Sequence, residues 1–182
     1  QLSAVGSQDI FIQKLDANGN FVWVKGIGGP PYSTILSISI TIDFMGSLYI
    51  TGNFSGTVDF DPGAGITNLT ANGVKDIFIL KLNQYGNFVW VKQMGTFSST
   101  GFSITTDNTG NIYTTGSFEG MVDFDPGAGI TNITSNAARD IFIQKLDPNG
   151  NLLWVKHMGG FATDRGIDLK IDSYDNVYST GR

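Results

Sequence analysis

Two acidic turns carry the residues best suited to chemistry. Asp59 and Asp61, and again Asp123 and Asp125, stand in the pattern Asp-x-Asp-Pro-Gly. Alternate carboxylates on a tight loop offer the hard oxygen ligands that calcium takes. The pattern lacks the further acidic positions and the distal Glu that complete an EF-hand shell. The structural alternative has Asp61 and Asp125 accepting turn N–H groups, with Asp59 and Asp123 as solvated strand ends.

Other candidates each have a structural reading beside the chemical one. Asp9, Asp76 and Asp140 precede apolar runs, with Lys14, Lys81 and Lys145 five positions on. An ion pair or a repeated turn bond is expected there, because an active site needs one asymmetric constellation and not three equal ones. Trp23, Trp90 and Trp154 could stack on sugars, but their place among Val and Leu suits packing between units. Tyr49, Tyr113 and Tyr178 follow the same logic, and each hydroxyl needs a partner if buried. His157 is the single histidine and no cysteine is present, so neither a nucleophile triad nor a zinc shell is assembled. Asn53, Asn68 and Asn132 open Asn-x-Ser/Thr sequons, which matter only in a eukaryotic secretory pathway. No catalytic residue and no cofactor are expected.

These residues recur because the chain itself repeats. Val58–Asn68 and Val122–Asn132 share one eleven-residue sequence, VDFDPGAGITN, at a step of about 64 residues. Three longer tracts align around the tryptophans, beginning at Asp9, Asp76 and Asp140; between them recur tracts beginning at Ser37, Phe102 and Ile167. Ile38, Ile40 and Ile42 alternate with Ser and Thr, the period-two mark of a strand. Leu48–Thr51, Ile112–Thr115 and Val177–Thr180 form a second strand, expected to end at Gly52, Gly116 and Gly181, where the backbone bends or approaches closely. Ile10–Leu15, Ile77–Leu82 and Ile141–Leu146 form a third, which turns through an x-Gly pair into Phe21–Lys25, Phe88–Lys92 and Leu152–Lys156. Thr57–Phe60 and Ile66–Thr70 predict a small extra hairpin around a type II turn at Pro62-Gly63, projecting and free to vary without harming the core.

The resulting fold is all-β: a β-propeller of four-stranded antiparallel blades with an extra small hairpin per blade. The 182 residues form one propeller section of about three blade equivalents. Residues 37–95 and 102–159 make whole blades, 1–29 supplies the last two strands of a blade, and 166–182 supplies the first two. The ends, with Gln1 in place of Met, read as processed or cut. Propellers close with four to eight blades. The section therefore belongs to a longer chain, or copies self-associate so that half-blades complete one another, two chains giving six blades.

The strand ending in Asp, the Gly-Asn turn, Tyr-x-Thr-Gly and then Asp-Ile-Phe-Ile-x-Lys-Leu-Asp-x-x-Gly-Asn and Trp resemble the bacterial SBBP-type β-propeller repeat, and more loosely NHL repeats. The residues carrying this are Asp107, Gly110, Asn111, Tyr113, Thr115, Gly116, Asp140, Phe142, Lys145, Leu146, Asp147, Gly150, Asn151 and Trp154, with their counterparts in the other copies. The resemblance implies a secreted or cell-surface module from Bacteroidota-like bacteria, with no family active site to transfer. Two turns depart from it, at Phe44–Ser47 and at Tyr174-Asp175-Asn176, and Asp tolerates the left-handed geometry that the turn needs.

Composition narrows the function. A net charge of −5 with 11 scattered basic residues argues against nucleic acid, and no apolar run reaches a membrane span. The leading expectation is a non-enzymatic, extracellular or cell-surface bacterial scaffold or protein-interaction platform whose partner is unknown. The alternative is a glycan-binding propeller with repeated sites. A hydrolase or lyase using the channel has no residue-level support.

Overall fold

The computed structural model describes residues 5–182. Gln1–Ala4, which the repeat aligns with Asn68–Ala71, lie outside the described residues. The period-two segments form strands β1 (Ile10–Leu15), β2 (Phe21–Ile27), β3 (Thr34–Ile42), β4 (Leu48–Ser55), β5 (Thr57–Asp59), β6 (Asn68–Thr70) and β7 (Asp76–Leu82). They continue as β8 (Phe88–Met94), β9 (Thr100–Thr106), β10 (Ile112–Asp123), β11 (Asn132–Leu146), β12 (Leu152–Met158), β13 (Gly166–Ile171) and β14 (Val177–Gly181). Two four-stranded antiparallel sheets result, ordered β3-β4-β7-β8 and β9-β10-β11-β12. Two-stranded sheets β1-β2 and β13-β14 flank them, and β5-β6 is a small hairpin.

Polar turns hold the strands in register. Asp107 Oδ1 accepts the backbone N–H of Thr109 and of Asn111, both at 2.9 Å, and Asp16, Asp43, Asn83, Asp147 and Asp172 repeat that geometry. A short side-chain acceptor thus replaces a backbone partner at each reversal. Both departing turns keep this form. Gly46 has φ 82° and Asp175, in the glycine place, has φ 62°.

The sheets are stacked, and alternation along a strand sends side chains to different cores. On β7, Phe78, Leu80 and Leu82 join Ile10, Ile12, Ile35 and Phe54 in one cluster; Ile77 and Ile79 join Tyr49, Ile104, Phe118 and Phe142 in the next. A strand buried on both faces reads as a continuous apolar run, which is what Ile77–Leu80 shows.

Three expectations change. The second strand does not stop at its glycine: β4 runs through Gly52 to Ser55, and β10 through Gly116 to Asp123. The close approach is real, since a Cβ on Gly52 would lie 1.8 Å from the Leu36 carbonyl oxygen. Neither Gly63 nor Gly127 has positive φ, so no type II turn forms at Pro-Gly. The Asp61 carboxylate accepts the Gly63 N–H at 2.7 Å and helps shape the loop. Finally, the hairpin is part of the core. Val58, Phe60, Val122 and Phe124 are fully buried, and in the second copy the hairpin strands are direct extensions of β10 and β11.

Candidate functional site

The polar residues gather in three kinds of place: at the hairpin tips, along the Tyr–Lys register, and at the start of the third strand of each unit. At the tips, Asp59 Oδ1 accepts the N–H of Asp61 at 3.0 Å and of Thr67 at 2.8 Å. Asp123 repeats this with Asp125 and Thr131 at 3.0 and 2.8 Å. Asp125 Oδ1 takes the Gly127 N–H at 2.8 Å, as Asp61 does that of Gly63. Each loop thus holds two carboxylates committed to its own backbone, and among the described residues no group of three or more His, Cys, Asp or Glu side chains converges as a metal shell would. The loops present Ile66 and Ile130 to solvent at 77% and 78% exposure.

Tyr49 stands opposite Lys81 in the β4–β7 register, and Tyr113 opposite Lys145 in β10–β11. The two lysine Nζ atoms lie over the tyrosine rings at 5.0 and 4.8 Å from the centroids. The Tyr49 and Tyr113 hydroxyls donate at 3.1 Å to Asp43 and Asp107. Lys145 Nζ also approaches Asp107 Oδ2 at 3.4 Å. Burial opposes ionisation of Asp107, yet hydrogen bonds from Asn111 and Thr109 outweigh it and hold the carboxyl well below the usual carboxylate range. Burial and the neighbouring Asp43 push the Tyr49 hydroxyl up. Tyr178 donates to Asp172 at the same 3.1 Å, and this bond raises its pKa. The cluster also ties units together: Lys81 donates to the Pro148 carbonyl at 3.1 Å and Lys14 to that of Gln84 at 3.4 Å.

The expected Asp9–Lys14 type of ion pair does not form. Asp76 is buried, accepting the N–H groups of Asn72 and Gly73 and, at 2.6 Å, the amide of Gln93. Asp140 Oδ2 accepts both the backbone N–H and the side-chain amide of Asn136, His157 stands where Gln93 does, and Asp140 Oδ1 lacks the partner that the Gly73 N–H gives Asp76 Oδ1. The turn bond among the alternatives is therefore the one used.

All three tryptophans are half-buried. Trp23 packs on Gly86 and Trp90 on Gly150 of the following unit, so their position is between units. Asn53 is buried, which removes the first sequon from solvent. A cleft of about 610 Å³ lies between Asp9, Phe11, Gly28, Pro30, Asp59 and Asp61. No sequence motif pointed to it, because it joins two units distant in sequence.

Aspartate turn, Tyr-x-Thr-Gly and tryptophan strand together form the repeating signature, and they decide the comparison. Residues 89–117 match the SBBP family, a beta-propeller repeat. The SBBP match runs from β8 through β9 into β10, taking in Trp90, Asp107, Tyr113 and Gly116. The chain is also 33% identical over 143 residues to an "Uncharacterized WD repeat-containing protein L264" of Acanthamoeba polyphaga mimivirus. That alignment covers 69% of this chain and 10% of the viral protein, so the chain spans about a tenth of the length of the curated relative it matches. Among the described residues no helix is long and apolar enough to cross a membrane.

Proposed function

We propose that this chain is a section of a β-propeller that serves as a rigid, non-enzymatic platform for binding another protein through its hairpin tips. Residues 37–95 and 102–159 are the whole blades of that reading, with half-blades at 1–29 and 166–182. One observation carries the function. Two adjacent units hold the same Asp-locked loop, each presenting an exposed isoleucine, Ile66 or Ile130, on a hairpin whose base is buried in the core. An apolar side chain on a pre-ordered loop loses little conformational freedom on binding, which favours recognition. The similarity to β-propeller repeats and to a WD-repeat protein supports a scaffold role. Location outside a bacterial cell belongs to the same proposal and rests on the absence of cysteine and on the resemblance.

The test is affinity capture from the native host with the protein and with an Ile66→Ser/Ile130→Ser variant. A partner held by the first and lost by the second, at unchanged melting temperature, supports the platform. Equal capture by both refutes the hairpin tips as the contact.

Two other readings have separate tests. Glycan binding is supported by the half-buried tryptophans, and a glycan array without hits removes it. Calcium at Asp59, Asp61, Asp123 and Asp125 is supported by the paired carboxylates of each loop. Calorimetric heat that disappears in Asp61→Asn/Asp125→Asn supports that site, and no heat removes it.

A further inference from the structure

The junction between the two four-stranded units carries an apolar patch that the preceding junction lacks. Val74, Phe97 and Met121 are exposed there, at 61%, 55% and 55%. They come from three segments: Val74 from the stretch before β7, Phe97 from the β8–β9 loop and Met121 from β10. The Phe97 carbonyl accepts the backbone N–H of Val74 at 2.7 Å and of Lys75 at 3.3 Å, and the Thr96 hydroxyl donates to the Met121 carbonyl. A Cβ on Gly73 would lie 2.3 Å from the Thr96 carbonyl oxygen, so the first two segments touch closely. Backbone contacts thus order the patch before anything docks on it, which keeps the entropic cost of docking low.

The repeat supplies a control. At the preceding junction Ser7 stands where Val74 does and Thr57 where Met121 does, while the corresponding loop keeps an exposed aromatic, Tyr32. The same backbone contact forms there, from the Ser7 N–H to the Ser33 carbonyl at 3.1 Å. Folding of the repeat therefore does not require apolar side chains at these two places. Exposed apolar side chains that the architecture does not need, gathered inside a polar rim, mark a contact surface.

Charge defines what fits. Residues 117–138, which build the hairpin beside the patch, contain Glu119, Asp123 and Asp125 and no Lys or Arg. The nearby cation, Arg139, is already engaged, lying 3.5 Å from Glu119 Oε2 and donating to Ser98 Oγ at 2.9 Å. We propose that this junction docks a segment of another protein in which one large apolar side chain, seated on Val74, Phe97 and Met121, is flanked by Lys or Arg. The apolar anchor supplies affinity, and the acidic hairpin selects the cations beside it. The proposal rests on the platform reading and adds to it a second contact of stated partner chemistry.

Selection from a phage-displayed random peptide library tests it, with the retained sequences made as fluorescent peptides and titrated by polarisation. Sequences joining an aromatic or long aliphatic residue to Lys or Arg are expected. Val74→Ser/Met121→Thr, which installs the residues of the preceding junction, should raise their dissociation constant at least about tenfold at unchanged melting temperature. Glu119→Ser, which installs the counterpart of Ser55, should raise it about threefold and weaken its dependence on salt. No retained sequence, retained sequences free of Lys and Arg, or equal affinity for the protein and Val74→Ser/Met121→Thr would each overturn the proposal. So would a dimer in light scattering that this variant dissolves, since a second copy would then occupy the patch. Ile66→Ser/Ile130→Ser is expected to bind these peptides unchanged, and loss of binding in that variant would place them at the hairpin tips instead. Failure at the junction and failure at the tips are therefore separate results.

Discussion

Replacing Phe124 by alanine tests whether the hairpin is an ornament or a part of the core. Phe124 is fully buried, with its ring centroid 5.1 Å from that of Phe118, edge to face, and 5.1 Å from that of Phe142. Truncating a buried Phe costs roughly 3–5 kcal/mol in lost transfer energy and cavity, and part of that reflects ring pairs worth about 0.5–1.5 kcal/mol each. A loss of about 4 kcal/mol is therefore expected, a large share of the roughly 5–15 kcal/mol that holds a domain together. At about 2–4 °C per kcal/mol for a chain of this length, the melting temperature should fall by about 8–16 °C. Thermal and urea unfolding followed by circular dichroism measure both quantities. Ile130→Ala, on the same hairpin but exposed, is the control and should change stability by no more than about 0.5 kcal/mol. A Phe124→Ala loss below about 1 kcal/mol would refute the reasoning, because it would mean that the hairpin base contributes nothing to the core.

Three further outcomes follow from the geometry. Asp107→Asn should lower the urea midpoint at neutral pH by the equivalent of about 2 kcal/mol, as hydrogen bonds to a buried charge are lost. Because the folded carboxyl is held below its unfolded pKa of about 3.9, this stabilisation is full above that pH. It declines as pH falls further, so the gap between protein and variant should narrow in acid. Gly52→Ala drives a Cβ into the Leu36 carbonyl and should cost about 3 kcal/mol or prevent folding, whereas Gly160→Ala, with nothing within 4 Å, should be neutral by thermal melting.

Much of the architecture is legible residue by residue. Ile38, Ile40 and Ile42 alternate with Ser and Thr along β3, and x-Gly pairs at the reversals place the hairpins. The Asp76 and Asp140 turn bonds were among the readings open from spacing alone. Other features were out of reach because they join units distant in the chain. The sequence places Phe60 in one arm of a projecting hairpin, and only the stacked sheets show its ring 5.2 Å from those of Phe54 and Phe78. The cleft beside Asp9 and Asp59, and the bond from Lys81 to Pro148, have the same origin.

The line between the two kinds of knowledge is a physical one. Alternation, turn residues and repetition act over a few bonds, so the sequence alone determined the strand type, the reversals and the unit length of about 64 residues. It also identified which residues recur. How deep a recurring residue lies depends on the sheet stacked against it, which no local pattern encodes. Val58 and Ile66 are both aliphatic residues of one hairpin, and the first is buried while the second is exposed. Only the tertiary arrangement decided that difference, by packing the hairpin base into the core beside Phe54 and Phe78 and leaving its tip in solvent.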